Sequence, residues 1–153
     1  METKIHFKIA TPERVVFKDE VDSITLPTTT GEITVLPNHI PLVSVLAPGA
    51  IMVRKGDEVF HMAVSGGFIE VLSEKVVVLA DTAERSEEID LARAEEAVKR
   101  AEALKETRAV DEREFAALTA QISKEMARIH VARKHLARIE TIGSKVEKYT
   151  SNK

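Results

Sequence analysis

Residues 75–94 read KVVVLADTAERSEEIDLARA, and this stretch changes its periodicity halfway along. Val76–Ala80 is a short run of β-branched and apolar residues bounded by polar ones, the pattern of a buried strand. From Ile89 the apolar positions open out to helical spacing, with Leu91, Ala94, Val98, Ala101 and Leu104 on one face. The polar segment Asp81–Glu87 lies between the two regimes. Its position predicts a β module before it and an α module after it.

The rest of the chain sorts to either side. All five prolines lie at or before Pro48, and five of the six glycines lie before residue 68. Residues 1–83 carry 18 charged side chains and residues 84–153 carry 29. The first part is turn-rich and lightly charged; the second is alanine-rich and heavily charged. Strands are expected at 4–9, 14–17, 21–27, 32–36, 42–46, 50–54, 58–64, 67–72 and 75–80, with turns at Lys55-Gly56-Asp57 and Ser73-Glu74. Many short strands with no helix between them predict an antiparallel sandwich or flattened barrel.

In the second part Phe115, Leu118, Ile122, Met126, Ile129 and Leu136 form another apolar stripe. Residues 106–110 read as the connection. Asp111, Glu112 and Glu114 suit the first turn of a helix, where carboxylates meet the positive end of the dipole. The expected fold is α+β with two domains: an antiparallel β-sandwich over 1–83, then an antiparallel two-helix hairpin over 84–153.

Composition narrows the chemistry. The net charge is −3, which gives no reason to expect a nucleic-acid partner. There is no cysteine, so disulfide frameworks, thiolate metal sites and cysteine nucleophiles are excluded. The N-terminal METKIHFKIA alternates charged and apolar residues, as a strand does and an export signal does not. The longest mostly apolar stretch, Ile40–Val53, is interrupted by Pro41 and Pro48 and falls short of the about 20 residues of a membrane span.

Two stretches invite a catalytic reading. GEITVLPNHIPLV, residues 31–43, holds His39 between Pro37 and Pro41. A general base needs a nucleophile and an orienting group, and no His-x-His pair or nucleophile elbow accompanies it. His39 therefore reads as a loop residue stiffened by its prolines. Gly66-Gly67 is not followed by the lysine and hydroxyl residue of a phosphate loop, so it reads as a bulge or a close backbone approach. A metal-binding or small-molecule enzyme with a helical tail is the competing class, and an adaptor with a basic helix is a third.

The helices carry charge in two notable places. Arg93 and Arg100 line up on one face about 10 Å apart, with Asp90 one turn earlier. They form either a guanidinium cradle for an anion or a solvated face with pairs such as Glu96–Arg100. Between Lys124 and Arg138 stand Lys124, Arg128, Arg133, Lys134 and Arg138 against one acid, Glu125. With no aromatic residue in that run, an acidic protein surface suits it better than stacked bases or a membrane.

Four stretches together resemble one family. They are Gly31–Leu42, Ser65-Gly66-Gly67-Phe68-Ile69-Glu70-Val71, Val76–Arg85 and Ile89-Asp90-Leu91-Ala92-Arg93-Ala94. In order, they are similar to the early loop, late hairpin, domain junction and helical opening of the epsilon subunit of bacterial F-type ATP synthase. The resemblance covers nearly the whole chain, with Gly143–Lys153 running beyond the usual end.

The resemblance implies a non-catalytic rotor part at the cytoplasmic face of the bacterial cell membrane, associated with the membrane only through the complex. The sandwich would grip the gamma subunit and sit on the c-subunit ring, with Glu32 and His39 at the ring-facing end. The hairpin would inhibit ATP hydrolysis when extended towards the alpha and beta catalytic subunits. Lys124, Arg128, Arg133, Lys134 and Arg138 would then meet an acidic beta-subunit surface. No cofactor is required. Some members bind ATP, with or without Mg, as a regulatory ligand; the matching positions are Glu84, Asp90, Arg93, Arg100, Lys124 and Arg128. Lys124 stands where the best-known binders have arginine.

Overall fold

A computed structural model of the chain describes residues 3–107 and 110–150, with side chains described through residue 145. The strands are β1 (Ile5–Ala10), β2 (Val15–Val21), β3 (Ser23–Thr28), β4 (Gly31–Val35), β5 (Leu42–Leu46), β6 (Gly49–Lys55), β7 (Glu58–Val64), β8 (Gly67–Val71), β9 (Lys75–Ala80) and β10 (Ala83–Arg85). They form one sheet in the order β10-β7-β6-β3-β5-β8-β9-β1-β2, with β4 paired to β3 off that path.

The sheet curls until its two edges nearly meet. Arg85, on edge strand β10, donates from Nε (3.0 Å) and Nη2 (2.8 Å) to the carbonyl of Val16 on edge strand β2. Alternation fills the interior: Ile5, Phe7 and Ile9 point inward from β1, while His6 and Lys8 point outward. Phe7, Phe17 and Phe60 stack in a chain with ring centroids 5.7 Å apart at each step.

Among the described residues every ladder is antiparallel except β1 with β9, which run parallel. Sequence alternation does not reveal this, because periodicity within β1 says nothing of the direction of a neighbour about seventy residues away. The short strand β10 was also outside the expected set. It pairs with β7 through Ala83–Val64, Glu84–Ala63 and Arg85–Met62, so the sheet continues to Arg85.

A 3₁₀ turn, Ser86–Glu88, leads to α1 (Leu91–Thr107) and α2 (Glu112–Thr150). Asp90 and Asp111 cap the two helices, accepting from the backbone N–H of Arg93 (3.1 Å) and of Glu114 (2.7 Å). The expected connection over residues 106–110 includes Arg108 and Ala109, which lie outside the described residues; Glu106 and Thr107 still belong to α1.

At 1.5 Å per residue, 17-residue α1 is about 25 Å long and 39-residue α2 about 58 Å. The longer helix overhangs its partner and lies on β6, β7 and the 3₁₀ turn. This explains why one apolar stripe was an incomplete account of α2. Ile129 packs with Ala94 and Val98 of α1. Val131, 200° further round the helix, is fully buried, as are its neighbours Ala127 and Ala132 nearly so. Of the expected stripe, Phe115, Met126 and Leu136 are about half exposed.

Candidate functional site

The hairpin meets the sandwich along a polar seam. Its centre is Arg128 on α2, which donates from Nε to Glu84 Oε2 (2.6 Å), from Nη2 to Glu84 Oε1 (3.3 Å) and from Nη1 to Glu125 Oε2 (2.7 Å). Its side chain is 17% exposed and that of Glu125 10%. Burial works against the arginine's charge, but hydrogen bonds and attraction from Glu125 and Glu84 outweigh it and leave the guanidinium more firmly protonated than usual.

Beside this knot lies a cleft of about 350 Å³, walled by Thr11, Glu13, Arg14, Asp81, Thr82 and Ala83 together with Glu84, Lys124 and Arg128. A second tether adjoins it. Arg14 binds Glu88 bidentately, at 3.1 and 2.8 Å, and Glu88 Oε2 also accepts the backbone N–H of Arg85 at 3.1 Å. Arg14 above all holds the Glu88 carboxyl below its ordinary range.

Other members of the basic run of α2 find contacts within the chain, some across the seam and some inside the hairpin. Arg133 binds Glu95 of α1 at 2.8 Å. Arg138 donates to the carbonyl of Val59 on β7. Lys134 acts electrostatically on His61 of β7. Sequence reading found these cations but not their partners inside the chain, because Glu84, Glu95 and Val59 lie 44, 38 and 79 residues away from the arginines they meet. Arg14–Glu88 was missed for the same reason.

Of the nucleotide candidates, the structure brings Glu84, Lys124 and Arg128 to one cleft. Arg93 and Arg100 are on an exposed face of α1 outside that lining, and the Asp90 carboxylate caps the helix. Glu13, Asp81 and Glu84 in the same walls oppose a triphosphate, and Arg128 would have to leave Glu84 to bind one.

The ring candidates are separated. Glu32 follows the tip of the β3–β4 hairpin, where Thr29 N–H bonds to Val45 O at 3.3 Å. His39 is beyond the far end of β4, where Asn38 N–H reaches Ser73 O at 2.8 Å in the β8–β9 turn. The two therefore occupy opposite ends of β4 and β5. In the loop that holds His39, Asn38 has φ of 63°, and His39 Nδ1 lies 2.7 Å from Ile40 O.

Replacing Arg128 with alanine should leave Glu125 buried without its cation. We expect the hairpin to lose about 2–3 kcal/mol of docking stability. Hydrogen exchange should show it: amides along α2 become less protected while those of β8 and β9 keep wild-type protection. Unchanged protection of α2 would mean that the knot does not hold it down.

On the outer face of the sheet, Val45 of β5, Phe68 of β8 and Leu79 of β9 stand in register across three strands. They are 45%, 62% and 57% exposed, and Val43 beside them is 73% exposed. No helix of the described residues is long and apolar enough to cross a membrane.

Comparison with known proteins gives one family. Residues 4–86 match the model of the ATP synthase delta/epsilon chain β-sandwich domain. Over 132 residues the chain is 47% identical to the ATP synthase epsilon chain of Chloroflexus aggregans, covering 86% of this chain and 94% of that protein. Its fold is similar to a chain in the Euglena gracilis mitochondrial ATP synthase, solved as OSCP/F1/c-ring. There the TM-score is 0.73 at 26% identity, over 85% of this chain and 81% of that one. It also matches a chain of the Tetrahymena thermophila mitochondrial ATP synthase central stalk/c-ring, at TM-score 0.62 and 15% identity, over 86% and 98% of the two chains. The β module that curls on itself, its helical pair and these likenesses have one meaning: the chain belongs to the ATP synthase epsilon-chain family, as a non-catalytic subunit of that complex.

Proposed function

We propose that the chain is a coupling and braking part of the central stalk, held at the cytoplasmic face of the cell membrane through the complex. The sandwich docks on the gamma subunit through its exposed apolar row, Val45, Phe68 and Leu79, since an apolar patch of this kind marks a protein interface. Glu32 at the β3–β4 tip offers a carboxylate to the polar loops of the c ring, and the proline-bounded loop around His39 stiffens the opposite end.

The hairpin, folded on the sandwich here, is the brake at rest. What supports this reading most is the engagement of Arg128, Arg133 and Arg138 inside the chain. If the hairpin swings away, Arg128 and Arg138 lose their sandwich partners together and become available to an acidic surface on the catalytic subunits. Electrostatics then favours either state without a new fold. The proposal requires no cofactor.

Truncation tests it. The cut belongs after Glu88, because Arg85 closes the sheet and Glu88 tethers Arg14. Residues 1–88 should still bind gamma and support coupled synthesis, while inhibition of ATP hydrolysis disappears. Phe68→Asp in the full chain should weaken gamma binding by about tenfold or more, as burial of an unpaired charge demands. Inhibition that survives the truncation would remove the hairpin from the braking role.

A further inference from the structure

His61 stands on β7 with its ring part-buried beneath α2. It shares a cleft with His135 and Arg138 of α2, and Lys134 and His130 of the same helix also act on it electrostatically. Opposite it on β6 is the uncharged Met52. The 3₁₀ turn contributes Ser86, whose Oγ is 3.4 Å from His135 Nδ1, and Glu87; β7 itself contributes Glu58. Both acids lie on the walls of the cleft that His61 and Arg138 share. The charged residues of β10 are otherwise engaged: Glu84 with Arg128, and Arg85 with the Val16 carbonyl.

We propose that His61 is a pH-operated latch, whose protonation beneath the basic face of α2 drives the hairpin off the sandwich. The idea rests on the braking role proposed above for its consequence, but not for its physics. A proton on this ring would be placed in a half-dry site with Lys134 and Arg138 of the opposing element acting against it, although Glu58 and Glu87 also stand on the cleft walls. When the hairpin leaves, the same ring faces water.

Burial first, then Lys134, Arg138, His130 and His135, hold His61 below the ordinary imidazole value in the compact state. The released state therefore binds the proton more tightly. At pH above the ordinary imidazole value both states are neutral at His61 and the compact form keeps its full stability. As pH falls below that value, the released form gains protons first, and the compact form is progressively lost. Acidification of the cytoplasmic side would then set the brake.

The absence of native cysteine allows a clean test on the full chain. Donor and acceptor dyes go on Asp57→Cys in the β6–β7 turn and Glu140→Cys on α2, both exposed. Energy transfer is followed between about pH 8 and pH 5.5, where carboxylates stay ionised. The released-to-compact ratio should rise by up to about tenfold per pH unit below the ordinary imidazole value. His61→Gln should stay compact throughout, and His61→Lys should be released even at the upper end. A wild-type signal that does not change with pH overturns the latch, as does a His61→Gln variant that responds like wild type. Because no other subunit is present, these outcomes are independent of whether the hairpin inhibits hydrolysis in the assembled complex.

Discussion

Gly67→Ala is expected to destabilise the sandwich severely. Gly67 opens β8 at φ of 135°, a conformation that side chains rarely adopt. An added Cβ would lie 2.0 Å from the Leu79 carbonyl oxygen and 2.9 Å from the Ala80 Cα. Both atoms are backbone of β9, so no rotamer change can relieve the clash. β8 would have to part from β9 at the pair Gly67–Ala80, while β5 holds its other edge through Leu46. Strain and lost pairing together should cost about 3 kcal/mol or more, a large part of a small domain's stability.

A denaturant melt of the isolated chain measures this directly. The control is Gly31→Ala, where φ is also positive, at 128°, but nothing lies within 4 Å of the added carbon. That variant should lose about 1 kcal/mol. If the two glycine variants melted alike, the close approach at Leu79 would have no energetic consequence.

The same glycine shows what could be read in the sequence. Gly66-Gly67 lacked the company a phosphate loop needs, which left a bulge or a close backbone approach, and the structure has the close approach at Gly67. Strand positions followed from alternation because each strand buries one face: Ile5, Phe7 and Ile9 inward, His6 and Lys8 outward. The expected boundary within Asp81–Glu87, with domains at 1–83 and 84–153, was drawn from proline, glycine and charge content. The parallel pairing of β1 with β9 did not follow, since periodicity within a strand says nothing of its neighbour's direction.

Candidate sites were less legible. The basic run of α2 was plain in the sequence, yet its partners Glu84, Glu95 and the Val59 carbonyl are set by tertiary packing alone. His61 had no local signal at all: its surroundings are made by a helix about seventy residues further on, which brings His135 and Arg138 into the same cleft. The second buried face of α2, Ala127, Val131 and Ala132, was hidden because alanine carries little weight in a hydrophobic pattern while still permitting close packing.

The second large effect concerns motion. The seam between hairpin and sandwich includes the Arg128–Glu84 ion pair at its centre, the small buried face of α2 at Ala127, Val131 and Ala132, and Arg138 on the Val59 carbonyl at its far end. Such an interface can open without unfolding either module, because the sandwich retains its own core from Ile5 to Ala83 and the helices retain theirs at Ala94, Val98 and Ile129. A brake made this way must move to act. Preventing the movement should eliminate inhibition completely while leaving every residue of the hairpin in place, which distinguishes motion from mere presence.

Glu58 on β7 and Ile142 on α2 line opposite walls of one cleft. Replaced by cysteine in a chain that has none of its own, they can be joined by a short, cleavable thiol reagent. The decisive measurement is ATP hydrolysis by the catalytic assembly carrying this chain, before and after the bridge is cleaved. With the bridge intact, hydrolysis should run at the rate found with residues 1–88 alone, and cleavage should bring inhibition back. A bridged chain that inhibits as strongly as the unbridged one would contradict a brake that works by leaving the sandwich.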